Sequence, residues 1–492
     1  MQVITSIVNK SFSDGNFPTC LKISKICPLF KKGDKTAIEN YRPISQLSTF
    51  SKIIESVAMN QLTDYLEENK ILSETQFGFR AKHSTQHCLL AIKHELEMAK
   101  NNKQFTILVS LDLSKAFDII SNNILMEKLG FYGCSLKAQN WFRSFFEYRQ
   151  QIVSWNGKNS NSTDLHNISV VQGSTCGPKM FSMYTNDLPN ASTLKTYSFA
   201  DDCTLMISGL NLKELEKELN EQLSYISDYY KANKLSLNVS KSTYMVIKPQ
   251  KKALDSSLNI KIGNETLQKT NCIKFLGVYF DDELNFNIHL EHVKSKLQKA
   301  IGALCMTRNI LTYKAKLLIY HSLFHSHLNY CPLVWMTSLN SSKVKELFML
   351  QKKAVRLVFN VKPSHHTAKL FELSKIIKFD QVVEYNSYLF IQKHVLGQQP
   401  QIFYKFLPLN EIKTRSKIIY PKSLYNANTF HKILKIWLNG PNSIKETLTV
   451  PSLKIQSKHF ILSNAQKYQC NTVNCTKCKL FDEKRIISYM NK

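Results

Sequence analysis

A chain of 492 residues, 43% hydrophobic and 11% aromatic, can bury cores for roughly three domains, which excludes a disordered tail. Its formal net charge of +28 suits a polyanion, with nucleic acid the first candidate and an anionic membrane surface the second. No run of about 18 apolar residues is present, so a spanning helix is excluded. The 12 scattered cysteines follow a start, Met1-Gln2-Val3-Ile4-Thr5, without signal-peptide blocks, and read as reduced thiols of an intracellular protein, nuclear or cytoplasmic.

In chain order, Asp14–Pro18 is a turn, and Ile26–Phe30 runs as a strand into Lys31-Lys32-Gly33-Asp34-Lys35. That basic turn is either a phosphate grip or a solvated hairpin loop. Tyr41–Ser45 follows, then a helix whose Ile54, Ala58, Leu62 and Leu66 form a core stripe. In Gln76-Phe77-Gly78-Phe79-Arg80, a glycine between two rings suits close approach of backbone to a nucleic-acid strand. Leu89, Ile92 and Leu96 resume a helical face. Phe105–Leu111 is almost continuously apolar and predicts a strand buried on both faces. It ends at Asp112, and Leu113–Asp118 turns into a helix. A carboxylate at the mouth of a buried strand is held rigidly, as a metal ligand must be; a helix N-cap is the alternative role.

Val170–Pro178 is a polar, glycine-rich loop. Gly173 permits close backbone approach, and Gln172 offers an amide donor and acceptor. A helix with Phe181, Met183, Tyr184 and Leu188 follows, and Asp187 ends it ahead of Pro189. Tyr197–Leu205 reads as a strand, a tight turn and a second strand, with Asp201 and Asp202 side by side at the tip. Leu212, Leu215, Leu219, Leu223 and Ile226 mark a helix. Leu235–Val239 and Tyr244–Ile247 predict strands, and Phe275–Phe280 a strand carrying one glycine. Asp281-Asp282-Glu283 reads as a solvated turn. Beyond residue 285 the pattern is helical and basic: Leu290, Val293, Leu297, Ile301 and Leu304, then Val344–Phe359. Such a bundle suits a nucleic-acid duplex, or is merely solubilised by its lysines. Residues 400–492 are poorly patterned. Cys470, Cys475 and Cys478 there offer three zinc ligands without a well-placed fourth.

Asp112 at one strand end and Asp201 and Asp202 on a hairpin form the candidate site. Three carboxylates from adjacent strands can hold two Mg²⁺ ions about 3.5–4 Å apart, with Mn²⁺ an alternative and the carbonyl of Leu113 an extra ligand. Arg42 and the turn lysines, Lys32 and Lys35 among them, supply cations for a triphosphate.

Leu111-Asp112-Leu113-Ser114-Lys115-Ala116-Phe117-Asp118, Gln172-Gly173-Ser174 and Phe199-Ala200-Asp201-Asp202 together resemble motifs A, B and C of reverse transcriptases. Arg42–Ser45 and Gln76–Arg80 resemble the finger motifs, Leu235–Lys241 motif D, and Phe275–Val278 the primer grip. Seven motifs in order, over roughly residues 10–360, resemble the non-LTR (LINE-type, jockey-like) retrotransposon enzymes. The resemblance implies an α/β (α+β) right-hand polymerase. Its expected parts are fingers at 1–104, a palm with an antiparallel sheet at 105–284, a basic helical thumb at 285–370 and a C-terminal extension at 371–492. It implies RNA-templated addition of deoxynucleotides to a DNA primer 3′-hydroxyl, with RNA template, primer and deoxynucleoside triphosphates as partners and no membrane. Asp112, Asp201 and Asp202 would bind the ions, and Phe117 would be the steric gate against a 2′-hydroxyl. Gln172 and Gly173 would line the incoming nucleotide. Arg42 with Lys32 and Lys35 would grip its triphosphate, and Lys241 would protonate pyrophosphate. Val171, Cys176 and Ser121–Asn123 depart from the family pattern. The chain begins inside the fingers, and reads as a piece of a longer element or a degenerate copy. A descendant that binds nucleic acid without polymerising is the alternative reading; an RNA-dependent RNA polymerase is a further one, opposed by Phe117.

Overall fold

In the computed structural model, which describes residues 2–114, 120–165, 173–249, 258–408, 429–464 and 483–491, the first strands are β1 (Ile23–Phe30) and β2 (Tyr41–Gln46). They pair antiparallel from Lys25↔Gln46 to Phe30↔Tyr41, so the expected basic turn is their connection. β3 (Phe105–Leu111), β4 (Arg149–Trp155), β5 (Lys158–Asn159) and β6 (Thr163–Leu165) follow. β1 takes β4 in parallel on its other edge, and β5 and β6 fold back on β4, giving a five-stranded sheet. β7 (Lys195–Phe199), β8 (Asp202–Gly209), β9 (Thr243–Ile247), β10 (Lys261–Ile262), β11 (Glu265–Thr266) and β12 (Gln268–Lys269) come next. A second five-stranded sheet runs β12-β9-β3-β8-β7, while β10 and β11 form a small hairpin.

The chain divides into two compact units: Met1–Ser84, Ile107–Tyr244 and Leu254–Lys269 in the first, Thr85–Thr106, Met245–Ala253 and Thr270–Lys492 in the second. The first holds the first sheet and most of the second. Every residue of β3 but Ser110 is buried, as its uninterrupted apolar run requires of a central strand. The helix Thr49–Glu68 buries Ile54, Ala58, Leu62 and Leu66 and starts at Ser48, whose side chain accepts the Phe50 N–H. The helix Leu212–Ala232 buries Leu215, Leu219, Leu223 and Ile226 in one stripe, with Asn211 accepting from Lys213 N–H at its start. Each such side chain contributes about 1.5–3 kcal/mol through area removed from water. A polar clamp joins three helices of this unit. Lys128 Nζ donates to Asp187 Oδ1 at 2.7 Å and to Tyr184 O at 2.5 Å, and the Tyr229 hydroxyl donates to the same Asp187 oxygen at 2.6 Å.

Four local expectations change. Leu235–Val239 is not a strand: it makes a single bridge, Leu237↔Leu113, before turning at Asn238–Lys241. The helix begun at Cys176 ends at Tyr184, so Leu188 lies in a separate 3₁₀ turn, and Asp187 is the clamp residue between them. In the second unit, Phe275–Phe280 is a hairpin of β13 (Cys272–Phe275) and β14 (Val278–Asp281), because Leu276 and Gly277 take positive φ of 41° and 83° at its turn. Asp281 is not solvated but 5% exposed, and its carboxylate accepts the N–H groups of Asn285 at 2.8 Å and Asn287 at 3.1 Å.

The rest of the second unit is helical. Asn287–Met306 buries the expected Leu290, Val293, Leu297, Ile301 and Leu304, and Ser341–Val358 matches the next predicted helix. Residues 400–492, unpatterned in sequence, include the helices Thr429–Leu438 and Val450–Asn464 packed on Phe379–Val395. Cys470, Cys475 and Cys478 lie outside the described residues. Among the described residues no helix is long and apolar enough to cross a membrane.

Candidate active site

The site is built at one end of the second sheet. β3 and β8 are neighbours there, and β8 pairs with β7 in the register Phe199↔Asp202. That register leaves a two-residue turn, Ala200-Asp201, with Ala200 held at φ 59°. A left-handed alanine is a strained choice, and such strain persists only where neighbours fix it. Here the neighbour is the Gln76–Gly78 segment. Phe77 N–H donates to Ser198 O at 2.8 Å, and Ser198 N–H donates to Thr75 O at 3.0 Å. A Cβ on Gly78 would lie 2.3 Å from Ala200 N. The glycine between two rings therefore admits the backbone of this hairpin, where sequence alone suggested a nucleic-acid strand.

Asp112 follows β3 directly and is fixed through its main chain. Its N–H donates to Ser242 Oγ at 3.1 Å, and its carbonyl accepts Asn238 N–H at 2.8 Å. Ser114 N–H donates to Ser236 O at 2.9 Å. The bridge between Leu113 and Leu237 thus uses the flanking Asp112 and Ser114 groups and leaves the Leu113 carbonyl out of it. Lys241 Nζ stands 3.9 Å from Asp112 Oδ2, with both side chains well exposed.

The two hairpin carboxylates feel their neighbours. Asp202 is pushed up to about 6, by burial first and then by the charges of Asp201 and Asp112. Asp201 is also raised, by burial and by Asp112, while the Arg42 guanidinium opposes the rise. Arg42 sits on β2, opposite Leu29 of β1. The structure therefore brings Asp112, Asp201, Asp202, Lys241 and Arg42 into one electrostatic neighbourhood. Lys32 and Lys35 occupy the exposed β1–β2 turn and are not among the charges that shift Asp201 or Asp202. Lys35 Nζ lies 5.8 Å from the centre of the Phe30 ring. Phe117 and Gln172 lie outside the described residues. Among the described residues, no group of three or more His, Cys, Asp and Glu is arranged to hold a metal ion.

Gly173 packs against β2. At φ 110°, it would place a Cβ 2.5 Å from Ser45 O, so only glycine fits. Ser174 Oγ accepts Gly177 N–H at 3.0 Å, from the first turn of the helix Cys176–Tyr184. Sequence reasoning missed what anchors this loop. Glu55 is fully buried, and its carboxylate accepts the Ser51 hydroxyl at 2.7 Å and Thr175 N–H at 2.9 Å. The only signal was a charged residue one position after Ile54 on the apolar face of its helix.

Residues 30–280 match the reverse transcriptase (RNA-dependent DNA polymerase) family. The chain is 24% identical over 378 residues to the RNA-directed DNA polymerase from mobile element jockey of Drosophila melanogaster, covering 73% of this chain and 40% of that one. It is 28% identical over 368 residues to the probable RNA-directed DNA polymerase from transposon BS of the same species, covering 70% and 39%. This chain thus spans about 40% of the length of those curated relatives. Among solved structures, the apo telomerase from Candida tropicalis aligns at 11% identity and a TM-score of 0.43, covering 100% of this chain and 73% of that one.

Proposed function

The chain belongs to the reverse transcriptase (RNA-dependent DNA polymerase) family, and from that premise we propose that it extends a DNA primer with deoxynucleotides on an RNA template, as part of a non-LTR retrotransposon. The observation that carries this reading is the convergence of three carboxylates at one sheet end: Asp112 directly after β3, Asp202 opening the neighbouring β8, and Asp201 in the turn before it. Hard carboxylate oxygens that repel one another suit hard divalent cations. Asp112, Asp201 and Asp202, with the Leu113 carbonyl, would hold two Mg²⁺. Ions held there would supply neutralisation of phosphate charge and a more acidic primer hydroxyl.

The remaining roles belong to the chain. Arg42, with Lys32 and Lys35, binds the triphosphate. Gly173 and Gln172 line the nucleotide, and Phe117 rejects a ribose 2′-hydroxyl by bulk. Lys241 donates a proton to the leaving pyrophosphate; its exposed ammonium beside Asp112 supports that role. We assign fingers to residues 1–104, palm to 105–284, thumb to 285–370 and an extension to 371–492. The second reading, nucleic-acid binding without polymerisation, is favoured by the +28 charge.

Primer extension on an RNA template with Mg²⁺ and deoxynucleotides separates the two. We expect Asp201→Asn to lose at least about a thousandfold in rate, the scale on which transition-state charge stabilisation acts. Equal extension by both proteins refutes the site. Failure of both, with a salt-sensitive RNA complex retained, favours the binding reading.

A further inference from the structure

A polar cleft opens in the first unit, and none of the residues given a role in the polymerase site lines it. It has a volume of about 430 Å³ and is lined by Asn16, Lys22, Asn140, Arg143, Glu147 and Tyr148, among others. Its floor is electrostatically unusual. Lys22 is only 5% exposed, yet its ammonium makes no hydrogen bond or ion pair among the described residues. Beside it in charge is Arg149, 1% exposed, which spends Nη1 on Phe145 O at 3.1 Å and leaves Nε and Nη2 without partners. Burial lowers the pKa of both; the Arg149 charge lowers that of Lys22 further and Glu147 partly offsets this, while the Glu55 charge opposes the fall at Arg149. Among the described residues neither cation lies within ion-pair distance of a carboxylate; the charge of Glu55 reaches Arg149, and Lys22 is the buried cation left for an anion from outside.

The cleft carries matching donors. The Ser144 hydroxyl donates to Asn16 Oδ1, so the Asn16 carbonyl is engaged and its NH₂ remains for the cleft. Arg143 is exposed on the helix Leu136–Phe146, and Asn140 lies one turn earlier on that helix. At the lip, Tyr148 is 82% exposed and held at φ 53°. An exposed ring next to cations is the pairing that takes an unpaired nucleotide: charge for the phosphate, a flat face for the base.

We propose that this cleft is a phosphate site for a single-stranded nucleic acid, with Lys22 and Arg143 holding one phosphate and Tyr148 stacking on the adjoining base. The site is separate from the polymerase residues, so its test does not depend on catalysis. Thermal unfolding with inorganic phosphate and anisotropy titration with a short labelled oligouridylate read it directly. Phosphate is expected to raise the melting temperature of the full chain. Lys22→Met removes a buried charge, so it is expected to be at least as stable but to lose the phosphate-dependent rise. Lys22→Met and Arg143→Ala are each expected to weaken oligouridylate binding about tenfold at moderate salt, and Tyr148→Ala to weaken it while leaving the phosphate response intact. Arg143 is exposed, so its variant keeps the test alive should Lys22→Met fold poorly. The proposal is overturned if phosphate acts equally on wild type and Arg143→Ala, or does not act on wild type. Loss of the phosphate response with unchanged oligouridylate affinity would make this a site for free phosphate and sink the nucleic-acid assignment.

Discussion

Asp202 carries the clearest conflict between stability and chemistry. Its carboxyl titrates near 6 in the folded chain, above its ordinary value, because it is partly buried beside Asp201 and Asp112. The folded chain therefore holds a proton that the unfolded chain has released between about pH 4 and pH 6. This favours the fold at low pH, and the advantage is lost as pH rises through 6. Asp202→Asn is expected to raise stability at pH 8 in chelator by about 1 kcal/mol, discounted because Asp202 touches solvent, and to change nothing at pH 4. Thermal unfolding across pH in EDTA checks this, and an Asn variant less stable at pH 8 would contradict it. Glu55 makes a contrast at the same scale. It is fully buried with both oxygens bonded, so its carboxyl group ties the Thr175 loop to the helix Thr49–Glu68.

The β7–β8 hairpin shows how one element depends on another distant in sequence. Ala200 keeps its left-handed φ because Thr75–Gly78 bonds to Ser198 and presses on the turn. Gly78→Ala puts a methyl 2.3 Å from Ala200 N, so backbone must move. The expected cost is about 1–3 kcal/mol of stability with at least tenfold loss of primer extension. Gly302→Ala, in the helix Asn287–Met306 with nothing within 4 Å of the new methyl, is the control and is expected to stabilise slightly. If both variants behave alike in unfolding and extension, the buttress does not exist. The hairpin itself was legible in sequence, since adjacent acids between β-prone residues have few other homes. So were β3 and the amphipathic helices, where hydrophobic period alone decides. Leu235–Val239 was not: it alternates like a strand, but Asn238 and Ser242 divert its backbone bonds to Asp112 and a turn. Nor were Glu55, Asp187 and Asp281, each an acid whose partners come from far along the chain or from a bend no local pattern announces.

For the whole molecule, charge sets the terms of binding. With a formal net charge of +28, affinity for single-stranded RNA is expected to fall about a thousandfold or more between 50 and 200 mM salt, as counterion release demands. Asp201→Asn is expected to bind RNA at least as tightly as wild type, since it deletes a negative charge from the site. Filter binding across salt measures both, and a flat salt response would remove electrostatics from the account. The contact of Gly78 with Ala200 has one more consequence, for how such a sequence erodes. A lineage released from selection for catalysis gains stability by replacing Asp202, whereas any side chain at 78 collides with the hairpin. Drift would therefore take the acids first and the glycine late. A descendant with Gly78 intact and its aspartates gone would be a fossil of the fold that had outlived its reaction.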